Sequence, residues 1–493
     1  MKITQKILAE AGTTKRSSVH RSGVLLLSLF IAVALSPPSV SALSLEEFLA
    51  DVRESHPVFV SEALSIEAAE AERETLRPVY PWALEGGPTY TTIGEVNSFE
   101  SAADRTHNLG GTLRAARSLN TGGAFSAGIV TDYLLLSDQE GPLGVADFER
   151  YTQGVEFSYV QPLLRNRGDA LRRVGYDLAA FSVEARRIES LEVQEEFLAE
   201  VAALYIDWAG SAEQLAVARL RVDLAEGQLA QVRSLFQNNL VDQVDVLRAQ
   251  TALQGAEQLE AELEATEAAL LVRLEALAGR DYTGEAPELP LASLPTLELR
   301  PSTTGGSVEG SIPRAAQPLA VLIEQLRAQR DTNRLRTVPE LNLEVAAGLY
   351  GAGEKFGDSF ALDSSDASFA IVGRVPLDYP DVESENRFVA AQIARLAADI
   401  DRIERDLAAA RGALEVQLER LVGVIAIAEE QLASAQAKTR SEQQLYTQAR
   451  VPLTTVIQSQ DEEQQIRLAL LATQARYQAL AVQYLSLTDQ LLQ

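Results

Sequence analysis

The sequence predicts an α+β membrane protein built from two tandem structural repeats, each joining strands of a β-barrel to long coiled-coil helices. Three observations lead to this fold class: an internal repeat, apolar residues spaced seven apart in proline-free stretches, and segments where apolar and polar residues alternate. We place the repeats at residues 43–279 and 316–493, with an irregular equatorial linker between them at 280–315.

The internal repeat shows in the spacing of prolines. Segments 57–78 and 318–339 both begin and end with proline, and each closing proline leads into a stretch rich in glycine and aromatic residues. Farther along the chain, residues 160–163 are echoed by residues 374–377. This order of matching segments indicates a tandem duplication.

The two longest helices are predicted over 165–238 and 384–448, where apolar residues recur with heptad spacing. Shorter helices follow at 242–278 and 452–491. The first helix, near 44–77, and helix 242–278 together contain about as many residues as the long helix between them, so end-to-end stacking matches its length. In the two long helices, heptad positions 210 residues apart correspond: Trp208, Leu215, Val222, Leu229 and Phe236 match Leu418, Ile425, Leu432, Thr439 and Tyr446.

Barrel strands are predicted within 82–161 and within 340–376. The first range contains an acidic loop at 138–147, and the second contains a Gly- and Asp-rich loop at 351–366. Whether the middle pair, within 108–136, widens the barrel or forms an external hairpin stays open, which leaves four or six strands per chain. The candidate strands are 82–93, 108–116, 124–136, 151–161, 340–350 and 368–375. Six strands cannot close a wide conduit, so several chains are required.

Aromatic residues cluster near the ends of these strands, where they indicate either the girdles of a membrane barrel or the core of a soluble hairpin. They are Tyr80, Trp82, Tyr90, Phe99, Tyr151, Phe157, Tyr159, Tyr350, Phe356, Phe369 and Tyr379.

Residues 1–42 have the parts of a secretory signal peptide. Basic residues Lys15, Arg16 and Arg21 precede the apolar run 24–35, and small residues follow up to position 42. The run is shorter than the roughly twenty residues that span a bilayer as a helix, and no later stretch comes close. We therefore expect a mature chain that starts near residue 43 and enters a membrane only as a barrel.

The composition excludes several classes of function. The 493 residues include no cysteine and only three scattered histidines, which argues against thiolate chemistry and a metal centre. With 43 basic and 70 acidic residues, the formal net charge is −27, which opposes binding to nucleic acid. The sequence contains no motif that supplies a nucleophile together with a general base and a residue to orient that base, and it contains no phosphate-binding loop. We expect no enzymatic activity and no cofactor.

Four motifs resemble those of the TolC-like outer-membrane efflux proteins, over essentially the whole mature chain. They are 43–49 with His56-Pro57, the strand-to-helix junction 157–164, the turn 239–241, and Asp245-Val246-Leu247 with Ala249-Gln250 after it. The resemblance implies a trimeric outer-membrane β-barrel continued by a periplasmic α-helical coiled-coil tunnel. It also implies a passive export channel of a tripartite efflux or type I secretion system, gated at the periplasmic helix tips.

The partners implied by the resemblance are two further copies in a homotrimer, a periplasmic adaptor (membrane fusion) protein, an inner-membrane pump and outer-membrane lipid, without nucleic acid. The alternative function is a periplasmic coiled-coil adaptor or scaffold without a membrane barrel. An adaptor should have one helical hairpin flanked by compact β modules, whereas this sequence predicts two hairpins and two groups of strands.

The resemblance also indicates residues at the two helix tips. Polar links between neighbouring helix pairs hold the closed tip in the family, and Tyr446 and Asp245 match two linked positions. Asp242 and Arg450 are further gate candidates, since Arg450 stands beside the position where some relatives carry arginine. The predicted adaptor contacts are Asn239, Leu240, Val241, Val451 and Pro452. The alternative is that Tyr446 only completes its heptad seam and that Asp245 is a solvated acid at a helix start.

The tips depart from the family at the glycine of each turn. Asn239 replaces it in the first repeat and can still adopt a left-handed conformation, whereas Ala449 in the second repeat does so poorly. Pro452 is therefore predicted to set the second turn, as an early helical residue.

Overall fold

The structure is a computed structural model that describes residues 42–97, 102–141, 144–289, 291–292, 312–448 and 450–491. Residues 1–41 of the predicted signal peptide and most of the predicted linker lie outside the described residues.

Helices and strands alternate in blocks along the described chain. The helices are α1 (Leu45–Ser55), α2 (Pro57–Thr75), α3 (Ala170–Gln237), α4 (Gln243–Ala278), α5 (Gln317–Arg336), α6 (Pro380–Thr447) and α7 (Leu453–Leu487). The strands are β1 (Ala42–Leu43), β2 (Trp82–Asn97), β3 (Ala102–Ser118), β4 (Ala124–Gly141), β5 (Gly144–Pro162), β6 (Ala286–Pro287), β7 (Glu340–Gly353) and β8 (Ser364–Arg374).

The long helices α3 and α6 each contain 68 residues. Helix α3 begins five residues later than predicted, because Asn166 and Asp169 take positive φ angles of 62° and 58° around a short 3-10 turn. Helix α6 begins four residues earlier than predicted, at Pro380, whose fixed φ suits the first turn of a helix. The two helices therefore start 210 residues apart.

The first predicted helix is divided in two at His56. The backbone of His56 is extended (φ −76°, ψ 130°). The Nδ1 atom of His56 accepts a hydrogen bond from the backbone N–H of Val58 at 3.3 Å, so His56 caps the start of α2. Upstream, Ser44 and Glu47 form a reciprocal capping box that starts α1. Local capping thus explains why the polypeptide bends here.

The heptad seam of α3 is buried against its neighbours. Trp208, Leu215 and Leu229 are at most 5% exposed, while Val222 is half-buried and Phe236, at the tip, is exposed. Helix α2 packs along the first half of α3, and α4 packs along the second half, as the helix lengths predict. Small residues on a second seam let the helices approach closely: Ser211, Ala218 and Ala225 are all buried.

Helix α6 repeats this arrangement with α5 and α7. Its first half packs on α5 through Leu396 and Ile400, and its second half packs on α7 through Leu418 and Ile425. Helix α3 also contacts α5 and α7, which joins the two helix groups. No helix among the described residues combines the length and the apolar character needed to cross a membrane.

Strands β2 to β5, β7 and β8 form one antiparallel sheet, in the order β2-β3-β4-β5-β7-β8. The middle strands β3 and β4 lie inside this sheet, so they widen it and do not form an external hairpin. The predicted acidic loop 138–147 was too long, since β4 ends at Gly141 and β5 begins at Gly144. Antiparallel pairing uses main-chain groups, so it continues through polar residues that look like a loop in sequence.

Two sets of contacts hold the two ends of the predicted linker against the rest of the structure. Strand β6 pairs in parallel with β1, and the carbonyl of Leu43 accepts hydrogen bonds from the Glu288 N–H (2.8 Å) and the Tyr205 hydroxyl (2.5 Å). At the other end, the Arg314 guanidinium forms ion pairs with Glu192 (2.9 Å) and Glu195 of α3. The described parts of this segment are therefore anchored to the helices.

Tyr205 is fully buried beside α1, and burial raises its pKa to about 12. A tyrosine in an unfolded chain ionises near about 10. Below that pH the folded and unfolded states both keep the proton, so Tyr205 adds no pH dependence. Above it only the unfolded state loses the proton, and the free energy of unfolding falls by about 1.4 kcal/mol per pH unit until the folded group also ionises.

We expect Tyr205→Phe to remove this alkaline loss. The wild-type protein should be more stable than the variant at pH 9, by about 1 kcal/mol for the hydrogen bond to Leu43. That advantage should shrink or reverse at pH 11. Urea unfolding followed by circular dichroism at both pH values measures the difference, and other titrating groups cancel in the comparison. A difference that is the same at both pH values would contradict the burial of the phenol.

Candidate functional site

The register of the sheet places apolar side chains on one face of all six strands. Tyr159 of β5 lies opposite Phe125 of β4 on one side and opposite Val345 of β7 on the other, so alternating residues of these strands share a face. We call it the apolar face. Its large exposed side chains are Trp82, Leu84, Tyr90, Leu109, Leu113, Ile129, Phe157, Val345, Leu349, Phe369 and Ile371.

The opposite face of the sheet is mainly polar. The Glu156 carboxylate accepts a hydrogen bond from the Tyr350 hydroxyl (3.1 Å) and lies 3.8 Å from the Arg114 guanidinium. Ser126 and Ser158 also share a hydrogen bond across two strands, at 2.7 Å. A surface with this chemistry suits contact with water, whereas the apolar face does not.

Aromatic residues of the apolar face fall into two rows that run across the strands. On three strands the rows are eight residues apart, which corresponds to about 26 Å along the strand. The first row contains Trp82, Phe125, Tyr159 and Phe369, and the second contains Tyr90, Tyr133 and Tyr151. Of the other predicted girdle residues, Tyr350 lies on the polar face instead, and Phe99 lies outside the described residues.

The first helix tip is a tight left-handed turn between α3 and α4. Asn239 has a φ of +54°, as predicted, which asparagine tolerates better than most residues. The Leu240 N–H donates to the Leu235 carbonyl (3.0 Å), and the Asn239 N–H donates to the Phe236 carbonyl (2.9 Å). These two bonds form a Schellman motif that satisfies the last carbonyls of α3.

The second tip, between α6 and α7, contains the equivalent bond 210 residues later, from the Arg450 N–H to the Leu445 carbonyl at 2.9 Å. Ala449 lies outside the described residues. The prediction that Pro452 is an early helical residue was wrong by one position. Its ψ of 157° is extended, so it precedes the first residue of α7, and its carbonyl accepts the N–H of Thr455 (3.1 Å).

Tyr446 lies where the two helical hairpins meet near their tips. Its ring packs against a cluster that includes Leu229 of α3 and Leu453 of α7. Its hydroxyl is buried and has no hydrogen-bond partner among the described residues. Burial raises the pKa of Tyr446, and the nearby charge of Asp245 raises it further. The charge of Asp245 therefore acts on Tyr446, but no hydrogen bond joins the two side chains.

The remaining gate candidates are more exposed. Asp245 pairs with Arg248 of the same helix, at 3.3 Å. Asp242 precedes α4, and its carbonyl accepts the Asp245 N–H (3.0 Å), but its side chain forms no capping bond. Arg450 is exposed and forms no ion pair with any residue that the structure describes. The candidates therefore share a region of the molecule but do not form one network.

The first tip carries an exposed apolar surface. Leu240 is 68% exposed, and Val244 and Leu247 on the first turns of α4 are more than half exposed. The predicted contacts Val241 and Val451 are partly covered, and Val241 packs against the cluster that holds Tyr446. The tip thus presents apolar side chains to which another protein could bind.

Sequence reasoning missed two polar contacts that join α3 to α7, of which only the contact between Gln228 and Gln460 is buried on both sides. Arg221 donates to the Asp461 carboxylate at 2.7 Å, and Gln228 donates to Gln460 at 2.6 Å. The side chain of Arg221 is only 5% exposed. The two α3 residues are seven apart and stand next to the heptad seam, which is the signal that could have identified them.

No group of His, Asp and Glu side chains in the described ranges could hold a metal ion.

A comparison of the sequence with protein-family models finds no match, and a comparison with curated proteins finds none either. Solved structures, in contrast, do match. The crystal structure of CusC, described for its transmembrane channel formation, has a TM-score of 0.60 and 12% identity, over 90% of this chain and 91% of CusC. The outer membrane protein VceC of Vibrio cholerae has a TM-score of 0.59 and 11% identity, over 90% and 95%.

The MtrE outer membrane channel of Neisseria gonorrhoeae, in its open state, has a TM-score of 0.57 and 14% identity, over 91% of this chain and 89% of MtrE. The chain therefore has the fold of the TolC-like outer-membrane channels, as the resemblance of its motifs predicted. At these identities the likeness is one of fold, and it is nearly complete in length.

We expect Asp461→Ala to lower the free energy of unfolding by about 1.5–3 kcal/mol, because it removes a charge-assisted hydrogen bond from the buried guanidinium of Arg221, while the Asp461 side chain is itself 53% exposed. Glu260→Ala is the matched control. Its partner Arg219, at 3.5 Å, is exposed, so the loss should stay near about 0–1 kcal/mol. Chemical denaturation of both variants measures the losses, and equal losses would show that the Arg221 link is not buried.

Proposed function

We propose that this protein is a passive export channel of the outer membrane. Its sheet forms a barrel together with the sheets of other copies, and its helices form a tunnel in the periplasm. The observation that carries the proposal is the apolar face, exposed across six strands and bounded by two aromatic rows about 26 Å apart along the strands. Strands tilted by about 40° convert this spacing into a height of about 20 Å, close to the apolar band about 25 Å tall that lies between the aromatic girdles of a lipid-facing barrel.

Two features support an assembly of several copies of a duplicated chain, and we propose three copies because the TolC-like resemblance implies a homotrimer. The sheet is open, so one chain cannot enclose a lumen among the described residues. The two long helices have equal length, start 210 residues apart and end in the same turn bond, which supports a tandem duplication at 43–279 and 316–493. We further propose that residues 1–42 are a signal peptide and that residues 280–315 link the repeats.

The exposed apolar tip supports docking onto a periplasmic adaptor, through which an inner-membrane pump would supply the energy of export. Leu240 and Val241 at the first tip, and Val451 and Pro452 at the second, are the proposed contacts, together with Asn239. Either a tripartite efflux pump or a type I secretion system would provide these partners. A passive conduit needs no catalytic group of its own.

Substitutions at two adjacent residues of β4 test which face of the sheet contacts lipid. Ile129 faces the apolar side midway between the aromatic rows, and Val130 faces the polar side. We expect Ile129→Arg to lower barrel stability in lipid by about 2–4 kcal/mol, since its charge enters the middle of the apolar band. Val130→Arg should retain insertion. Yields of heat-modifiable trimer in the outer-membrane fraction, and conductance in planar bilayers, measure the effect.

Equal yields for the two arginine variants would contradict the assignment of the lipid face. A wild-type protein recovered as a soluble periplasmic monomer would overturn the channel and favour the coiled-coil adaptor or scaffold.

For the gate, we propose that the Tyr446 hydroxyl finds its partner in the closed trimer, with Asp245 as the acceptor. The buried, unpartnered hydroxyl and the influence of Asp245 on its pKa support this pair. Each such link would contribute about 1 kcal/mol, so three or more could hold a tip that an adaptor still opens.

We expect Tyr446→Phe and Asp245→Ala to raise ion leakage through the closed channel in planar bilayers. Asp223→Ala removes the same charge from an exposed site on α3, away from the tip, and should leave the leakage unchanged. If both tip variants leak no more than the wild type, the gate pair is wrong, while the channel itself stands.

A further inference from the structure

The two edges of the six-stranded sheet, β2 and β8, have no neighbouring strand among the described residues. Each edge leaves one row of backbone N–H and C=O groups unpaired, along strands of 16 and 11 residues. Long edges of this kind are open to pairing with another strand. In an apolar environment such pairing is required, because no water is present to satisfy the backbone groups.

The directions of the two edge strands allow them to pair with each other in different copies. Every neighbouring pair in the sheet is antiparallel, and six strands are present, so β2 and β8 run in opposite directions. The β8 strand of one copy can therefore continue the antiparallel pattern with the β2 strand of the next. The same contact, repeated around a ring, leaves no free edge.

The apolar face extends to both edges and restricts how they can meet. On β2 it consists of even-numbered residues such as Leu84, which is 72% exposed. On β8 it consists of odd-numbered residues such as Phe369 and Ile371, which are 71% and 61% exposed. A continuous lipid surface therefore requires even positions of β2 to lie opposite odd positions of β8, because a shift by one residue turns each side chain to the other face.

We propose that β8 of one copy pairs with β2 of the next, so that all six strands of each chain line the barrel. For the number of copies, this inference rests on the proposed function: three chains with six strands each give eighteen strands. The alternative is that β2 and β3 fold away and that β4 is the closing edge, which gives twelve strands.

The strand number fixes the width of the conduit. With strands about 4.8 Å apart and tilted by about 40°, eighteen strands enclose a backbone diameter of about 36 Å, against about 24 Å for twelve. The lumen is lined by the polar face, including Arg114, Glu156 and Tyr350. The barrel is thus a wide, hydrated passage for polar cargo.

Disulfide cross-linking tests the closing edges, and the natural absence of cysteine makes every introduced thiol unique. Leu84→Cys is combined in turn with a cysteine at each odd-numbered position of β8 from Ser365 to Gly373. The matched controls combine Leu84→Cys with the even-numbered Ala370→Cys or Val372→Cys. A further series combines Ile129→Cys on β4 with the same odd-numbered positions. Membranes are oxidised and separated on denaturing gels without reductant.

We expect at least one odd-numbered partner of Leu84 to give a reducible covalent trimer, because opposed residues on one face bring their Cβ atoms within reach of a disulfide. The even-numbered controls should cross-link weakly. A covalent trimer in the Ile129 series, or none in the whole Leu84 series, would overturn the eighteen-stranded barrel.

The two proposals fail separately in this experiment. Conductance of the reduced Leu84 variants tests the channel independently of the strand number. If the Leu84 variants cross-link but the protein never conducts, the proposed channel function is wrong, while the eighteen-stranded barrel is retained. If the Ile129 variants cross-link and the protein conducts, the eighteen-stranded barrel is wrong, while the proposed channel function is retained.

Discussion

Side chains along a β-strand alternate between two faces, and a single register therefore decides the chemistry of a whole sheet. Five successive pairings in this protein keep the same parity, so that apolar side chains from six strands share one face. A slip of one residue at any pairing would mix Leu and Ile with Arg and Glu on both faces. The proposed membrane contact, the polar lumen and the closing edges all follow from this register.

The helical part follows a different constraint, the burial of heptad seams on both long helices. Each long helix is covered first by the helix before the strands and then by the helix after the tip. Between the two hairpins, however, the contact is partly polar, with Arg221 on Asp461 and Gln228 on Gln460. Some of their nitrogen and oxygen atoms have no partner among the described residues. Buried groups of this kind favour a defined register over maximal stability.

The sequence was most informative where a periodic pattern ran long. The heptads located both long helices to within five residues at each end, and matching motifs led to the correct fold. Errors arose where a local conformation decided the outcome, as at Asp169 with its positive φ or at Pro452. Periodicity also could not show that β3 and β4 join the sheet, because their pairing depends on main-chain bonds between distant segments.

The candidate site was predictable to a lesser degree. Motif matching proposed Tyr446 and Asp245 as a linked pair, but hydrogen bonding depends on side-chain rotamers that no sequence pattern specifies. The link from Arg221 to Asp461 joins residues 240 positions apart and carries no local signal except its heptad spacing.

The hydrogen bonds to Leu43 bear on the removal of the signal peptide that we propose for residues 1–42. The carbonyl of Leu43, and not its N–H, receives the bonds from Glu288 and Tyr205. A leader peptidase that cuts after residue 42 would leave both bonds intact, with Leu43 as the remaining residue of β1. A cut one residue later would remove the acceptor and leave the Tyr205 hydroxyl buried without it. Under that proposal, an accurate cut preserves the contacts that Leu43 makes with the helical core.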